Sequence, residues 1–191
     1  DVAVTGVQTC ALPIYGKTVE QVYRALIAKY LHPQPRIAAI VEAFATQAFG
    51  DAPLIAVHLR GSDKGVEMRN LEELNRTYFS QVEREDPTSR IFLLTDDARW
   101  LESFRARFGE RIITTDAQRT NAAVGLHHAP GNDGEKLGDE VMIDTYLALR
   151  CTRFIGNGRS NVSAMIALLK DWPEDTCRLL APSQLLERQQ G

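Results

Sequence analysis

Two rhythms of apolar residues alternate along the chain. Over residues 18–30, Val19, Val22, Tyr23, Leu26, Ile27 and Tyr30 recur at three- and four-residue steps, which predicts a helix. Thr18, with Gln21 three places on, fits its capping box. Leu31-His32-Pro33-Gln34-Pro35 breaks it, because proline biases its predecessor away from helical angles. A second helix is expected over 36–49, on Ile37, Ile40, Val41, Phe44 and Phe49, with Gly50 as its stop. Then the rhythm changes: Ile55, Ala56 and Val57 are continuously apolar, as in a parallel strand covered on both faces. The same alternation continues downstream. A helix is expected over 70–85 with Leu71, Leu74, Tyr78, Phe79 and Val82 inward, then a strand over 90–95. A helix over 98–108 uses Trp100, Leu101, Phe104 and Phe108 and closes at Gly109. A short strand over 111–114 leads into residues 115–135, which have no period and read as a long loop. A helix over 138–149 presents Val141, Met142, Thr145, Tyr146 and Leu149; a strand over 153–156 turns through Asn157-Gly158-Arg159-Ser160-Asn161 into a helix over 162–170. A last strand over 177–180 and a polar tail over 182–191 complete the reading. Strands alternating with helices imply an α/β protein with a Rossmann-like parallel sheet.

Composition changes this picture little. Of 191 residues, 44% are hydrophobic and 25% charged, ordinary for a soluble globular protein. The net charge of −3 lacks the basic excess of a nucleic-acid footprint. No apolar run approaches a membrane span and no signal peptide is recognisable, which suggests a bacterial cytoplasmic setting. Cys10, Cys151 and Cys177 are odd in number and lack metal spacing, so reduced, partly buried thiols are expected. Val7-Gln8-Thr9-Cys10-Ala11-Leu12-Pro13-Ile14 looks like a sequencing-library adapter translated in frame. Residues 1–14 are then an artefact and the natural chain extends upstream; the alternative is a genuine strand, DVAVTGV.

The chemistry gathers at strand ends, where open α/β sheets bind ligands. His58, Arg60, Asp63 and Lys64 follow the first strand. A guanidinium grips phosphate with two parallel hydrogen bonds, so Arg60 is a phosphate candidate; a surface pair with Asp63 is the alternative. Asp96 and Asp97 end the second strand. One of them fits as a helix cap, or a carboxylate orients a basic loop such as Arg60 and Lys64. Gly156 to Asn161 could cradle an anion, with glycines admitting the backbone and the helix start offering N–H groups. Asp144 is an acid on the apolar side of a helix, costly unless paired. It is open to a buried salt bridge or to the adjacent N1–H and 2-amino donors of guanine. Glu67 is a candidate general base, and His127-His128 reads as solvated loop rather than metal ligand.

In order and rough spacing, four stretches resemble the eukaryotic core α1,6-fucosyltransferases and the rhizobial nodulation fucosyltransferases. They are Lys29-Tyr30-Leu31-His32-Pro33-Gln34-Pro35, Val57-His58-Leu59-Arg60-Gly61-Ser62-Asp63-Lys64, Leu94-Thr95-Asp96-Asp97, and Asp144 through Phe154-Ile155 to Ser160-Asn161. The resemblance spans about residues 20–182. It implies a two-lobed GT-B glycosyltransferase of which residues 15–191 are the C-terminal, nucleotide-sugar-binding lobe, with the N-terminal lobe largely missing. It implies GDP-fucose as donor, transfer to a glycan acceptor with inversion, and no metal or other cofactor. By position, Arg60 would hold the β-phosphate, and His58 and Asp144 would recognise guanine. Asp96, Asp97, Ser160 and Asn161 would line the donor site. Asp63, Lys64 and Glu67 would activate the acceptor hydroxyl, Glu67 as base.

The sequence departs from that pattern at Gly61, where the family usually carries a second arginine, and at Asn161, where the eukaryotic enzymes carry glutamine. The lost cation keeps open a second reading, a non-catalytic nucleotide- or carbohydrate-binding module. A phosphate-binding α/β regulator built on Asp96 and Asp97 is a third.

Overall fold

The computed structural model describes residues 16–61, 70–121, 131 and 133–183. The elements in chain order are α1 (Val19–Tyr30), α2 (Pro35–Ala48), β1 (Leu54–Leu59), α3 (Leu71–Glu83), β2 (Arg90–Thr95), α4 (Ala98–Phe108) and β3 (Ile112–Ile113). They continue with α5 (Gly134–Ala148), β4 (Arg153–Gly156), α6 (Asn161–Leu169) and β5 (Cys177–Leu179). The five strands form one sheet in the order β3-β2-β1-β4-β5, and every pairing is parallel. This is the Rossmann-like α/β sheet expected from the alternating rhythms.

The continuous apolar block of β1 is buried along its whole length because helices cover both faces. Leu54 and Ala56 join a core with Phe92 of β2, Ile37 and Val41 of α2, Leu147 of α5 and Ile166 of α6. Ile55, Val57 and Leu59 point the other way, against Tyr78 and Val82 of α3 and Leu101 and Phe104 of α4. Phe92 meets Phe49 edge-on, with ring centroids 5.3 Å apart. Truncating so deeply packed a ring to alanine costs about 3–5 kcal/mol.

Three boundaries and faces differ from expectation. Helix α5 starts four residues earlier than periodicity suggests, because the Asp133 side chain accepts the N–H groups of Glu135 and Lys136 and so caps a polar first turn. Along α5 the buried residues are Asp144, Thr145, Leu147 and Ala148, while Val141 and Met142 are exposed. On α1 the capping box is present, but only Ile27 is buried; Tyr23, Leu26 and Tyr30 face outward. Proline at the first position of α2 fits its preference there, since the missing N–H is one that no helix satisfies internally.

Cys151 and Cys177 are free thiols, and burial pushes them up to about 12 and about 11, which disfavours the thiolate. No helix among the described residues is long and apolar enough to cross a membrane. Residues 1–15 and 184–191, with the adapter-like stretch, Cys10 and most of the polar tail, lie outside the described residues.

Candidate functional site

The strand order fixes where a ligand can sit. From β1 the chain steps outward to β2 and β3, then returns to the other side of β1 for β4 and β5. The segments leaving β1 and β4 therefore diverge, and the carboxyl ends of these two neighbours are where open α/β sheets form their binding crevice. Arg60 and Gly61 follow β1, and Asn157 to Ser160 follow β4.

At the β1 tip, Asp96 ties the backbone and the guanidinium together. Its Oδ1 accepts the Gly61 N–H at 2.9 Å and its Oδ2 accepts Arg60 Nη1–H at 2.8 Å. The Asn75 amide donates to the Arg60 carbonyl at 2.8 Å. Arg60 thus has an acidic partner in Asp96, just past the end of β2; Asp63, the partner weighed from the sequence, lies outside the described residues. The pair sits at the rim, with 24% of the Arg60 side chain and 19% of the Asp96 side chain exposed, so it is not sealed from solvent. The carboxylate-orients-arginine reading fits Asp96.

The capping reading fits Asp97. Its Oδ1 accepts the Arg99 backbone N–H at 2.9 Å, capping α4, and the Arg99 guanidinium closes on the same carboxylate, with Nη2 at 2.6 Å from Oδ2. The Asp97 side chain is 1% exposed. It faces α4 and Gly61: a Cβ built at Gly61 would lie 2.3 Å from the Asp97 Cβ. Packing therefore requires a glycine at this position.

On the β4 side, the Gly156 to Asn161 turn does form the start of a helix, but its glycines serve the chain itself. A Cβ at Gly158 would fall 2.0 Å from the Ala181 carbonyl oxygen, and one at Gly156 would strike the Phe154 ring and the Ser163 hydroxyl. What remains for an anion is the start of α6. Its first backbone bond is from Ala164 N–H to Ser160 O, so the earlier N–H groups lack helical partners. Ser160 occupies the N-cap without a side-chain capping bond, though it is buried. Asn161 is the first, exposed residue of the helix.

His58 lies between these two tips. Its Nδ1 is 2.7 Å from Ser163 Oγ of α6, and the Asn157 N–H donates to the same oxygen at 3.0 Å. Burial lowers the imidazole to about 4, so it is neutral. The network closes when the Ser163 hydroxyl donates to Nδ1, which puts the ring proton on Nε2. The His58 carbonyl accepts the Tyr78 hydroxyl at 3.0 Å, pinning the strand from the opposite face.

Asp144 lies on the His58 side of the sheet, on α5, and is 9% exposed. Neither reading of it included what the structure shows: Thr115 donates its hydroxyl to Asp144 Oδ1 at 2.6 Å. Oδ2 has no hydrogen bond to any described residue, and no ion pair within bonding distance neutralises the group among them. Burial raises it to about 6, opposed by the Thr115 bond and by the charge of Arg119. Residues 114–120 connect the two halves of the crevice. Thr115 reaches Asp144, while the Thr120 N–H donates to the Asp96 carbonyl at 2.9 Å and its carbonyl accepts the Ala98 N–H at 3.1 Å.

Asp63, Lys64, Glu67 and His127-His128 lie outside the described residues. Sequence reasoning missed Asn75, Thr115, Arg119 and Ser163. Asn75 is buried on an otherwise apolar face of α3, the same signal that drew attention to Asp144. Its Oδ1 has no partner among the described residues, and it lines a cavity of about 240 Å³ with Gly61, Leu71, Asp97 and Trp100. Thr115 and Arg119 sit in an aperiodic stretch that offers no such signal.

No family model matches the chain, and no curated protein matches it. Among solved structures it is similar to NodZ alpha-1,6-fucosyltransferase soaked with GDP-fucose, with TM-score 0.52 and 21% identity over 82% of this chain and 49% of that one. The same enzyme co-crystallised with GDP matches at TM-score 0.50 and 21% identity, over 76% of this chain and 45% of that one. Fucosyltransferase NodZ from Bradyrhizobium, as its selenomethionine form, gives TM-score 0.46 and 19% identity over 69% and 40%. The chain thus spans about half the length of the structures it matches. At these identities the likeness is one of architecture: the chain has a fucosyltransferase-like α/β fold built on a five-stranded parallel sheet.

Proposed function

We propose that this chain is the nucleotide-binding lobe of a GT-B fucosyltransferase-like enzyme that binds GDP-fucose and transfers fucose to a glycan acceptor with inversion. One observation carries the reading. The Arg60 guanidinium and the start of α6 stand at the two strand tips that flank the topological switch, with Asp144 offering an acceptor oxygen on the same face as His58. The two similar structures that were solved with GDP or GDP-fucose support the choice of donor.

In this reading the diphosphate lies across the crevice. Arg60, oriented by Asp96, and the N–H groups and Ser160 hydroxyl at the head of α6 stabilise the charge that builds on the β-phosphate as the sugar leaves. Fixed donors of this kind do the work without a metal or other cofactor. Asp144, ionised above about pH 6, accepts from the guanine N1–H and 2-amino groups, which adenine and uracil do not present as a pair. Asn161 lines the donor site beside Ser160. Glu67, assisted by Asp63 and Lys64, takes the proton of the acceptor hydroxyl.

A second reading, a nucleotide-binding module without turnover, is favoured by Gly61, whose packing against Asp97 leaves no room for a side chain at that position. Thermal stabilisation by GDP, UDP and ADP tests the donor claim: GDP should stabilise most, Asp144→Ala should abolish that preference, and Arg60→Ala should weaken stabilisation by all three. Equal stabilisation by all three refutes it. Transfer from GDP-fucose by a protein carrying an N-terminal lobe separates enzyme from module, and Glu67→Gln should then remove transfer while sparing GDP binding.

A further inference from the structure

Arg119 is a half-buried guanidinium that, among the described residues, has no carboxylate within ion-pair distance. It is wrapped in its own loop instead. Nη1 donates to the Ala117 carbonyl at 2.8 Å, Nη2 to the Thr115 carbonyl at 3.0 Å, and Nη2 also bonds the Thr114 hydroxyl. Nε is buried with no partner among the described residues. Burying a cation this way is unfavourable, and desolvation lowers its affinity for its proton. Yet the loop it organises delivers one particular group: the Thr115 hydroxyl, bonded to Asp144 Oδ1 at 2.6 Å.

The chemistry explains the arrangement. Two adjacent donors on a base edge require a carboxylate with both oxygens accepting. A protonated carboxyl has lost one of them to its own O–H. We infer that Arg119 is the positioning residue of this recognition site: acting through Thr115 and by its charge, it holds the Asp144 side chain in the acceptor-only form that reads a guanine-type edge.

The surroundings of Asp144 make the role necessary. On its own helix, Glu140 one turn away disfavours the ionised form. Glu140 itself accepts the Gln118 N–H at 2.9 Å, which brings a second acid to the loop, and Asp116 lies near Arg119. From the sheet, His58 is neutral. Arg36 of α2, which packs beside α5, is already bonded to Asp139. Helix α6 contributes no charged residue. Arg119 is therefore the cation among the described residues that acts on Asp144.

The inference rests on the guanine reading of Asp144, and two measurements keep the two apart. In the ligand-free chain, a ¹³C titration of the Asp144 carboxyl should show its midpoint rising by about one pH unit in Arg119→Met, and returning most of the way in Arg119→Lys. An unmoved midpoint in Arg119→Met overturns the inference, whatever nucleotide binds. Calorimetric titration with GDP and with IDP, which lacks the 2-amino group, is then run from pH 5.5 to 8.5. Arg119→Met should weaken GDP about tenfold at the acid end and little at the alkaline end. A loss equal at every pH marks a merely structural residue and also overturns it. Asp144→Asn should erase the preference for GDP over IDP; a preserved preference removes the guanine reading itself.

Discussion

Replacing Asp144 with asparagine isolates the energetic consequence of a buried carboxylate at this site. Folding raises the carboxyl from the ordinary 3.8 to about 6, with burial as the main cause. The native state therefore binds this proton more readily than the unfolded chain. The contribution to stability is present at low pH and is lost as pH rises through about 6. At about 1.4 kcal/mol per pH unit the whole effect is roughly 3 kcal/mol. Neutral His58 acts in the opposite sense: lowered from 6.5 to about 4, it supports the fold above pH 6.5 and that support is lost as pH falls through about 4. In the wild type the two slopes oppose each other across the same window. Asp144→Asn removes one and leaves the other. The asparagine oxygen can still accept the Thr115 hydroxyl, and any cost of its unpaired amide is the same at every pH. Urea unfolding, followed by far-UV circular dichroism and the fluorescence of Trp100 and Trp172, gives the variant-minus-wild-type difference at pH 4.5, 6 and 7.5. That difference should shift in the variant's favour by roughly 2 kcal/mol between pH 4.5 and 7.5. A difference independent of pH refutes the claim that Asp144 is held as a strained, ionised acceptor.

Two further substitutions separate binding from folding. Ser160→Ala should change unfolding stability by less than about 0.5 kcal/mol, below the usual loss for an N-cap, because its side chain makes no capping bond; GDP binding should fall about three- to tenfold. Gly61→Ala should destabilise the chain by about 1–3 kcal/mol in the same urea assay, since the new methyl meets the Asp97 Cβ. Gly61→Arg should lose GDP affinity rather than gain it.

How much of this was legible beforehand depended on whether a feature was local. The block Ile55–Val57 announced a strand covered on both faces, and β1 is buried throughout. Asp144 stood out as an acid on an apolar helix face and is buried. Asp96 and Asp97 could not be told apart in one dimension. Adjacent residues at a strand end point opposite ways, one toward the Arg60 tip and one into α4, and only the register of β2 beside β1 decides which. The stripe on α1 was correctly periodic, but periodicity does not say what covers it, and Tyr23, Leu26 and Tyr30 are exposed. Thr115 and Arg119 were invisible because their roles come from a loop folding back against α5, a contact between residues far apart in sequence.

The account turns on a diphosphate lying between the β1 tip and the head of α6. A crystal structure of the chain with GDP tests this most directly. The β-phosphate should lie within hydrogen-bond distance of the Arg60 guanidinium and the Ser160 hydroxyl, with the guanine edge on Asp144. GDP bound elsewhere, out of reach of the Arg60 guanidinium, would contradict it.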